Sequence, residues 1–324
     1  MNKTNCINWG VLGTAQIAAN QTIPAMLESK NCNLYGIAGR NKVKVDEFKE
    51  KFGFEKAFYS LEAMLEDKEI EAVYIPLPNH LHKEWVIKAA KSKKHILCEK
   101  PLAENSADIA EMISVCDEEG VIFMEAFAYL HSPVIKEIKS VVDAGIIGEV
   151  TMMESVFFGG ASPEDDIRMK RETLGGSIYD LGCYNTSLTL TMFGEEPSDV
   201  KAMAHFTEKG IDDFASAYLE FASGKKACFS TGMCCPQRGD RFFLYGTKGT
   251  IEAPIYFNQM GNLTYYTVID NVREAHTVKV PNNYMLEAEQ LGRCIAEGEK
   301  PWVSHEFSMA NGRTLDKVLH AMGY

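Results

Sequence analysis

The sequence predicts an α/β protein in two parts: an N-terminal doubly wound parallel sheet, then an α/β domain on a large, mostly antiparallel open sheet. Three observations predict it. Before residue 127, short apolar runs alternate with helical stretches at the spacing of βαβ units. After it, long β-rich runs dominate with few covering helices. At 324 residues the chain is long for a single core. The expected domains are therefore 1–126 and 127–324.

The elements follow in order. Cys6 to Gly13 is a short apolar strand, and Thr14-Ala-Gln-Ile-Ala-Ala-Asn20 opens a helix. A second strand runs from Asn33 to Gly39 and a helix from Lys42 to Phe52. A short strand at 57–59, a helix at 61–66 and a strand at 71–76 come next. Then come a helix over 82–91, a strand over 95–98, a helix from Ser106 to Glu119 and a strand at 121–127. In the second part, helices are expected at 133–144, 177–193, 285–297 and 307–322. Strands are expected at 149–158, 199–206, 214–221, 227–232, 242–245, 263–269 and 277–280.

Composition removes several functional classes. A net charge of −12 argues against nucleic acid or an anionic membrane as partner, since both demand a basic surface. No apolar run is long enough to cross a bilayer, and Met1–Cys6 lacks the apolar core of a signal peptide, so a cytoplasmic protein is expected. Nine scattered cysteines without a C-x-x-C pattern read as reduced thiols. His80-Leu-His82 and His95-Ile-Leu-Cys98 lack a supporting second pair, so no metal site is expected.

Two stretches carry chemistry. In the first, the strand ending at Cys98 stops on Glu99, Lys100 and Pro101, because proline lacks an N–H and holds its predecessor extended. In an open α/β sheet such strand ends border the ligand crevice, where a lysine can stabilise developing negative charge. The residues alone leave open a solvated Glu99–Lys100 pair. Upstream, Gly13-Thr14-Ala15-Gln16-Ile17-Ala18 keeps the first glycine of the dinucleotide fingerprint and replaces the other two by alanine. The second strand ends in Gly39-Arg40. An acidic residue there would hold ribose hydroxyls, whereas arginine suits a 2′-phosphate. NADP(H) is thus expected over NAD(H), with an arginine stacked on adenine the competing reading.

The second stretch is Gly175-Gly-Ser-Ile-Tyr-Asp-Leu-Gly-Cys-Tyr184. On an α-helix Asp180 and Tyr184 share a face. A tyrosine, with an ordinary pKa of about 10, works as an acid–base group near neutrality only if a cation lowers it. From the residues alone, a core tyrosine with Asp180 as local acceptor is the favoured reading.

Trp9–Ala18, Gly39-Arg40, Pro78-Asn-His-Leu-His82, Cys98-Glu-Lys-Pro101, Met124-Glu-Ala-Phe127, Gly175–Tyr184 and Tyr245-Gly-Thr-Lys-Gly249 together resemble the Gfo/Idh/MocA oxidoreductases. The similarity is greatest to the branch of dimeric dihydrodiol dehydrogenase and the NADP-linked sugar dehydrogenases. The resemblance implies a Rossmann domain and hydride transfer between a nicotinamide and a hydroxyl or carbonyl of a sugar, polyol or diol. It also implies a homodimer or larger assembly through the C-terminal sheet. Lys100, Asp180 and Tyr184 would be catalytic, which reverses the core reading of Tyr184. Gly13, Thr14, Ala15, Gln16, Ile17, Gly39, Arg40, Pro76, Leu77, Asn79, His82, Glu99 and Lys100 would bind cofactor. Two rivals remain: a cofactor-binding regulator without catalysis, and a redox-assisted glycoside-processing enzyme with tightly bound cofactor. The chain departs from its branch where Glu125-Ala-Phe127 continues into Ala128-Tyr129-Leu130-His131, without the usual bulky residue and arginine. Arg168 and Arg171, in the charged loop before Gly175, read as solvated rather than as substrate contacts.

Overall fold

A computed structural model describes residues 6–160, 162–233 and 239–324. Cys234 and Cys235 lie outside the described residues; the other seven cysteines are free thiols.

The chain divides into two compact units, 1–131 with 282–308, and 132–281 with 309–324. The first holds six strands: β1 (Ile7–Leu12), β2 (Cys32–Ala38), β3 (Lys56–Phe58), β4 (Ala72–Ile75), β5 (His95–Glu99) and β6 (Phe123–Ala126). Every pairing is parallel, in the order β3-β2-β1-β4-β5-β6. That is the Rossmann order, and the chain reverses direction across the sheet between β1 and β4. The strands are short and apolar because helices cover both faces. These helices are α1 (Ile23–Glu28), α2 (Lys42–Phe52), α3 (Leu61–Leu65), α4 (His82–Lys91) and α5 (Ser106–Glu119).

Side chains and glycines fix the helix ends. Asn41 accepts from Lys44 N at the start of α2 and Asn105 from Asp108 N at the start of α5, each satisfying an amide with no partner inside the helix. Gly53 and Gly120 close the same helices at φ 76° and 67°. Such asparagine-to-glycine brackets are local, and both helices have the expected bounds. The turn after β1 differs: a π-turn over Ala18–Thr22 precedes α1.

The second unit begins with α6 (Pro133–Asp143) and β7 (Val150–Phe158). A π-turn over Ile178–Gly182 leads into α7 (Cys183–Phe193). Then come β8 (Pro197–Phe206), β9 (Asp212–Phe221), β10 (Lys226–Gly232), β11 (Arg241–Gly246), β12 (Gly249–Ala253), β13 (Gly261–Ile269) and β14 (Val272–Val280). Their order is β14-β13-β12-β11-β7-β10-β9-β8, antiparallel except where β10 meets β7. Of the α7 residues all but Thr191 are buried, and α7 packs on β7 and β10. The other face carries Met203, 80% exposed, and an open depression of about 490 Å³ lined by Lys201, Met203, Tyr218, Cys228, Arg241 and Phe243.

Two strands depart most from the sequence expectation. β12 lies where no strand is expected, and β14 begins five residues early, at Val272. Of the added residues of β14, Val272 to Ala275 are exposed and show no alternation; pairing with β13 makes them a strand. The last helices are α8 (Asn283–Glu297) and α9 (His305–Met322). α8 packs on α1, β2, β5 and the turn Ala128–His131, so it belongs to the first unit. The linear division at 126/127 does not contain this return.

Candidate active site

In the first unit the implied cofactor residues gather at the carboxyl ends of β1, β2, β4 and β5. Gly13 follows β1 at φ 115°, a conformation that side chains resist, and a Cβ there would stand 3.1 Å from Leu77 Cδ2. Gly13 N donates to the Ala38 carbonyl at 2.8 Å, which fixes the turn against β2; the first helical turn beyond it has amides without a helical partner, which suits a pyrophosphate. Ala18 is fully buried, as close helix-to-sheet packing requires of the third small position. Gln16 and Arg40 are exposed. These residues fit a dinucleotide: Gly13 to Ile17 would hold its phosphates and Arg40 the ribose end.

His82 differs from its expected place. It is fully buried in α4, with Nδ1 2.9 Å from the Pro101 carbonyl and Nε2 2.8 Å from the Leu77 carbonyl. Its ring lies between the loop after β4 and the loop after β5, with one nitrogen facing a carbonyl of each. Burial holds its pKa down to about 4, so it is neutral, donating to one carbonyl.

Acidic side chains stand behind Lys100. Tyr74 Oη donates to Glu99 Oε1 at 2.6 Å and accepts from Thr22 Oγ1 at 3.0 Å. Glu125, 3% exposed, accepts from Ser308 Oγ at 2.7 Å. Burial pushes its pKa up to about 8, against the smaller opposing pull of Ser308, Leu102 N and Lys100. Glu287 of α8 is 1% exposed, and burial followed by the charge of Glu99 raises its pKa well above the ordinary range. Sequence reasoning missed both. An acid inside the apolar run 121–127 is a signal for Glu125, since carboxylates are rarely buried without a role. Glu287 has none, because only packing brings α8 to β5.

In the second unit the expected uninterrupted helix over 177–193 is a π-turn carrying Asp180, followed by α7 carrying Tyr184. Single π-turns inside helices mark functional sites often enough to be informative. Arg168 corrects the reading of a solvated loop charge: its Nε donates to Asp180 Oδ2 at 2.9 Å, and its Nη1 lies 3.2 Å from Asp166 Oδ1. The Tyr184 ring, 8% exposed, packs edge-on to Phe157 at 5.2 Å and beside Phe257 at 5.1 Å. Lys100 belongs to the first unit and Asp180 and Tyr184 to the second. Among the described residues no group of three or more His, Cys, Asp or Glu is placed to hold a metal ion.

Two family models match the chain. One, described as the oxidoreductase family with NAD-binding Rossmann fold, covers residues 7–127; the other, the GFO/IDH/MocA C-terminal domain, covers 135–252. The chain belongs to the Gfo/Idh/MocA oxidoreductases. Relatives in that family match it over nearly its whole length. D-xylose 1-dehydrogenase (NADP(+)) 2 of Haloferax volcanii is 32% identical, across 96% of this chain and 95% of its own. Trans-1,2-dihydrobenzene-1,2-diol dehydrogenase of Xenopus laevis is 29% identical, across 97% and 98%. A 3-ketoreductase from Actinomadura kijaniata, crystallised with NADP and TDP-benzene, superposes with a TM-score of 0.93 at 26% identity, covering 98% of each chain. In that reductase a tyrosine-to-phenylalanine variant and a lysine-to-alanine variant have also been crystallised with NADP and TDP-benzene. As a member of this family the protein is a nicotinamide-dependent oxidoreductase. No helix among the described residues is long and apolar enough to cross a membrane.

Proposed function

We propose that this family member is an NADP(H)-preferring dehydrogenase or reductase acting on a hydroxyl or carbonyl of a sugar, polyol or related diol. The observation that carries the reading is a glycine cradle after β1 with Arg40 exposed at the end of β2, in a sheet whose β5 ends on Glu99 and Lys100. The similarity to an NADP-dependent xylose dehydrogenase along nearly the whole chain supports the cofactor and the substrate class.

When bound, the nicotinamide supplies C4 as acceptor or donor of hydride. Tyr184 takes the hydroxyl proton on its Oη during oxidation and returns it to the carbonyl oxygen during reduction. The Lys100 ammonium steadies the charge that develops on that oxygen. Asp180, in the π-turn just ahead of Tyr184, supplies the partner carboxylate, and Arg168 orients it through the 2.9 Å hydrogen bond. The buried His82 ring fills the space between the loops that carry Leu77 and Pro101 and donates to one of their carbonyls.

The free thiols and acidic charge support a cytoplasmic enzyme. The open sheet face with Met203 supports a homodimer formed by a second copy of the chain. Fluorescence titration with NADPH and NADH side by side tests the cofactor, followed by a hydride-transfer screen over D-xylose, other aldoses, polyols and diols. Tighter binding of NADPH and turnover of a sugar is the expected result. Tighter NADH binding overturns the NADP preference, and binding of neither overturns the enzyme reading.

A further inference from the structure

We propose that Tyr324 is a positioning residue for the helix that bears Asp180 and Tyr184, an inference that rests on the catalytic reading above. The Gly175–Gly176 link in front of that helix is gripped from two sides. On one side Gly175 N donates to Lys170 O at 2.9 Å and Gly176 N to Arg168 O at 3.0 Å, and a Cβ on Gly175 would stand 2.4 Å from the Arg168 carbonyl oxygen. On the other side Gly176, at φ 124°, presses on Asp212: a Cβ there would meet Asp212 Oδ1 at 2.1 Å and Tyr324 Oη at 3.1 Å. Neither position admits a side chain.

Asp212 is fully buried, and three donors hold it. Ser177 Oγ reaches its Oδ2 at 2.7 Å and Ile178 N at 2.8 Å, so this carboxylate from β9 secures the start of the π-turn. The third donor is Tyr324 Oη, 2.5 Å from Oδ1. The Tyr324 ring in turn lies 4.1 Å under the Arg171 guanidinium and 5.2 Å from the Phe206 ring. One side chain therefore joins three things that sequence separates: the loop 166–173, the start of β9, and the π-turn. Because Gly176 N holds the Arg168 carbonyl while Arg168 Nε holds Asp180, fixing the loop also fixes the guanidinium on Asp180. A tyrosine is suited to this because its hydroxyl reaches the buried carboxylate while its face receives the cation.

The test uses Tyr324→Ala and Tyr324→Phe in the full chain. Trypsin should cut after Arg168, Lys170 and Arg171 about tenfold faster in Tyr324→Ala, with cleavage elsewhere unchanged. Amide exchange at Gly175, Gly176 and Ile178 should accelerate similarly while that of α7 beyond Leu188 does not. Tyr324→Phe keeps the ring under Arg171 and should fall between. With D-xylose and NADP+, kcat/KM should drop about tenfold in Tyr324→Ala while NADPH affinity holds. Faster exchange along the whole second unit would mean that Tyr324 only stabilises the fold, and unchanged cleavage and exchange would mean that no tether exists; either overturns the proposal. Wild-type failure to turn over D-xylose would count against the functional reading alone, since cleavage and exchange decide the tether by themselves.

Discussion

Glu125 makes the stability of the first unit fall as the pH rises through neutrality. Its pKa stands at about 8 in the folded chain against an ordinary 4.5. Below pH 4.5 the carboxyl is protonated in folded and unfolded states alike, and the group adds no pH dependence. Between the two values the unfolded chain gives up the proton while the folded one keeps it. Folded stability then falls by about 1.4 kcal/mol for each pH unit. By pH 7 the loss from this group is roughly 3 kcal/mol, and it levels off above about 8. Glu125→Gln replaces the protonated acid by a neutral amide of the same shape. It weakens one of the hydrogen bonds from Ser308 or Leu102 N, at a cost of about 1 kcal/mol. The variant should therefore be slightly less stable than wild type at pH 5 and more stable by about 2 kcal/mol at pH 7. Tryptophan fluorescence in guanidinium titrations reads this unit selectively, because Trp9, Trp85 and Trp302 all lie in it. Wild-type and variant stabilities that run parallel from pH 5 to pH 8 would show that the carboxyl ionises as an exposed one does, and the burial argument would fail.

Other outcomes follow from the same structure. Lys100→Ala and Tyr184→Phe should each lower kcat by about two orders of magnitude or more, with cofactor affinity nearly unchanged in Tyr184→Phe, and near-wild-type turnover in Tyr184→Phe would remove the tyrosine from its role. Arg40→Ala should weaken NADPH binding by roughly tenfold or more and NADH binding by much less, as paired fluorescence titrations would read; equal weakening would sink the 2′-phosphate assignment. Met203→Lys places a charge at the most exposed apolar side chain of the open sheet face, and light scattering should then give the mass of one chain. A mass that matches wild type would move the pairing surface elsewhere.

Much of this molecule was legible in the sequence because the relevant forces are local. Asn41 with Gly53 and Asn105 with Gly120 stop two helices by capping and backbone handedness, which need no partner elsewhere in the chain. The glycine at the β1 turn, the arginine after β2 and the proline that ends β5 are likewise set by neighbours within a few residues. What escaped reading was made by contacts far apart in sequence. α8 returns from residue 283 to lie on β5 and brings Glu287 near Glu99, and the burial that raises its pKa exists only after that packing. His82 has an ordinary motif position, yet two carbonyls from different loops occupy its ring. Arg168 reads as a loop charge until the loop folds back over Gly175 and Gly176 and sets it on Asp180. The sequence by itself determined the strand and helix alternation, the glycine turn after β1 and the stop of β5 at Pro101, because periodicity, caps and glycine conformations are short-range. Only the tertiary structure decided which acids are buried and which cation meets which carboxylate, because desolvation and ion pairing depend on what the rest of the chain brings within a few ångströms.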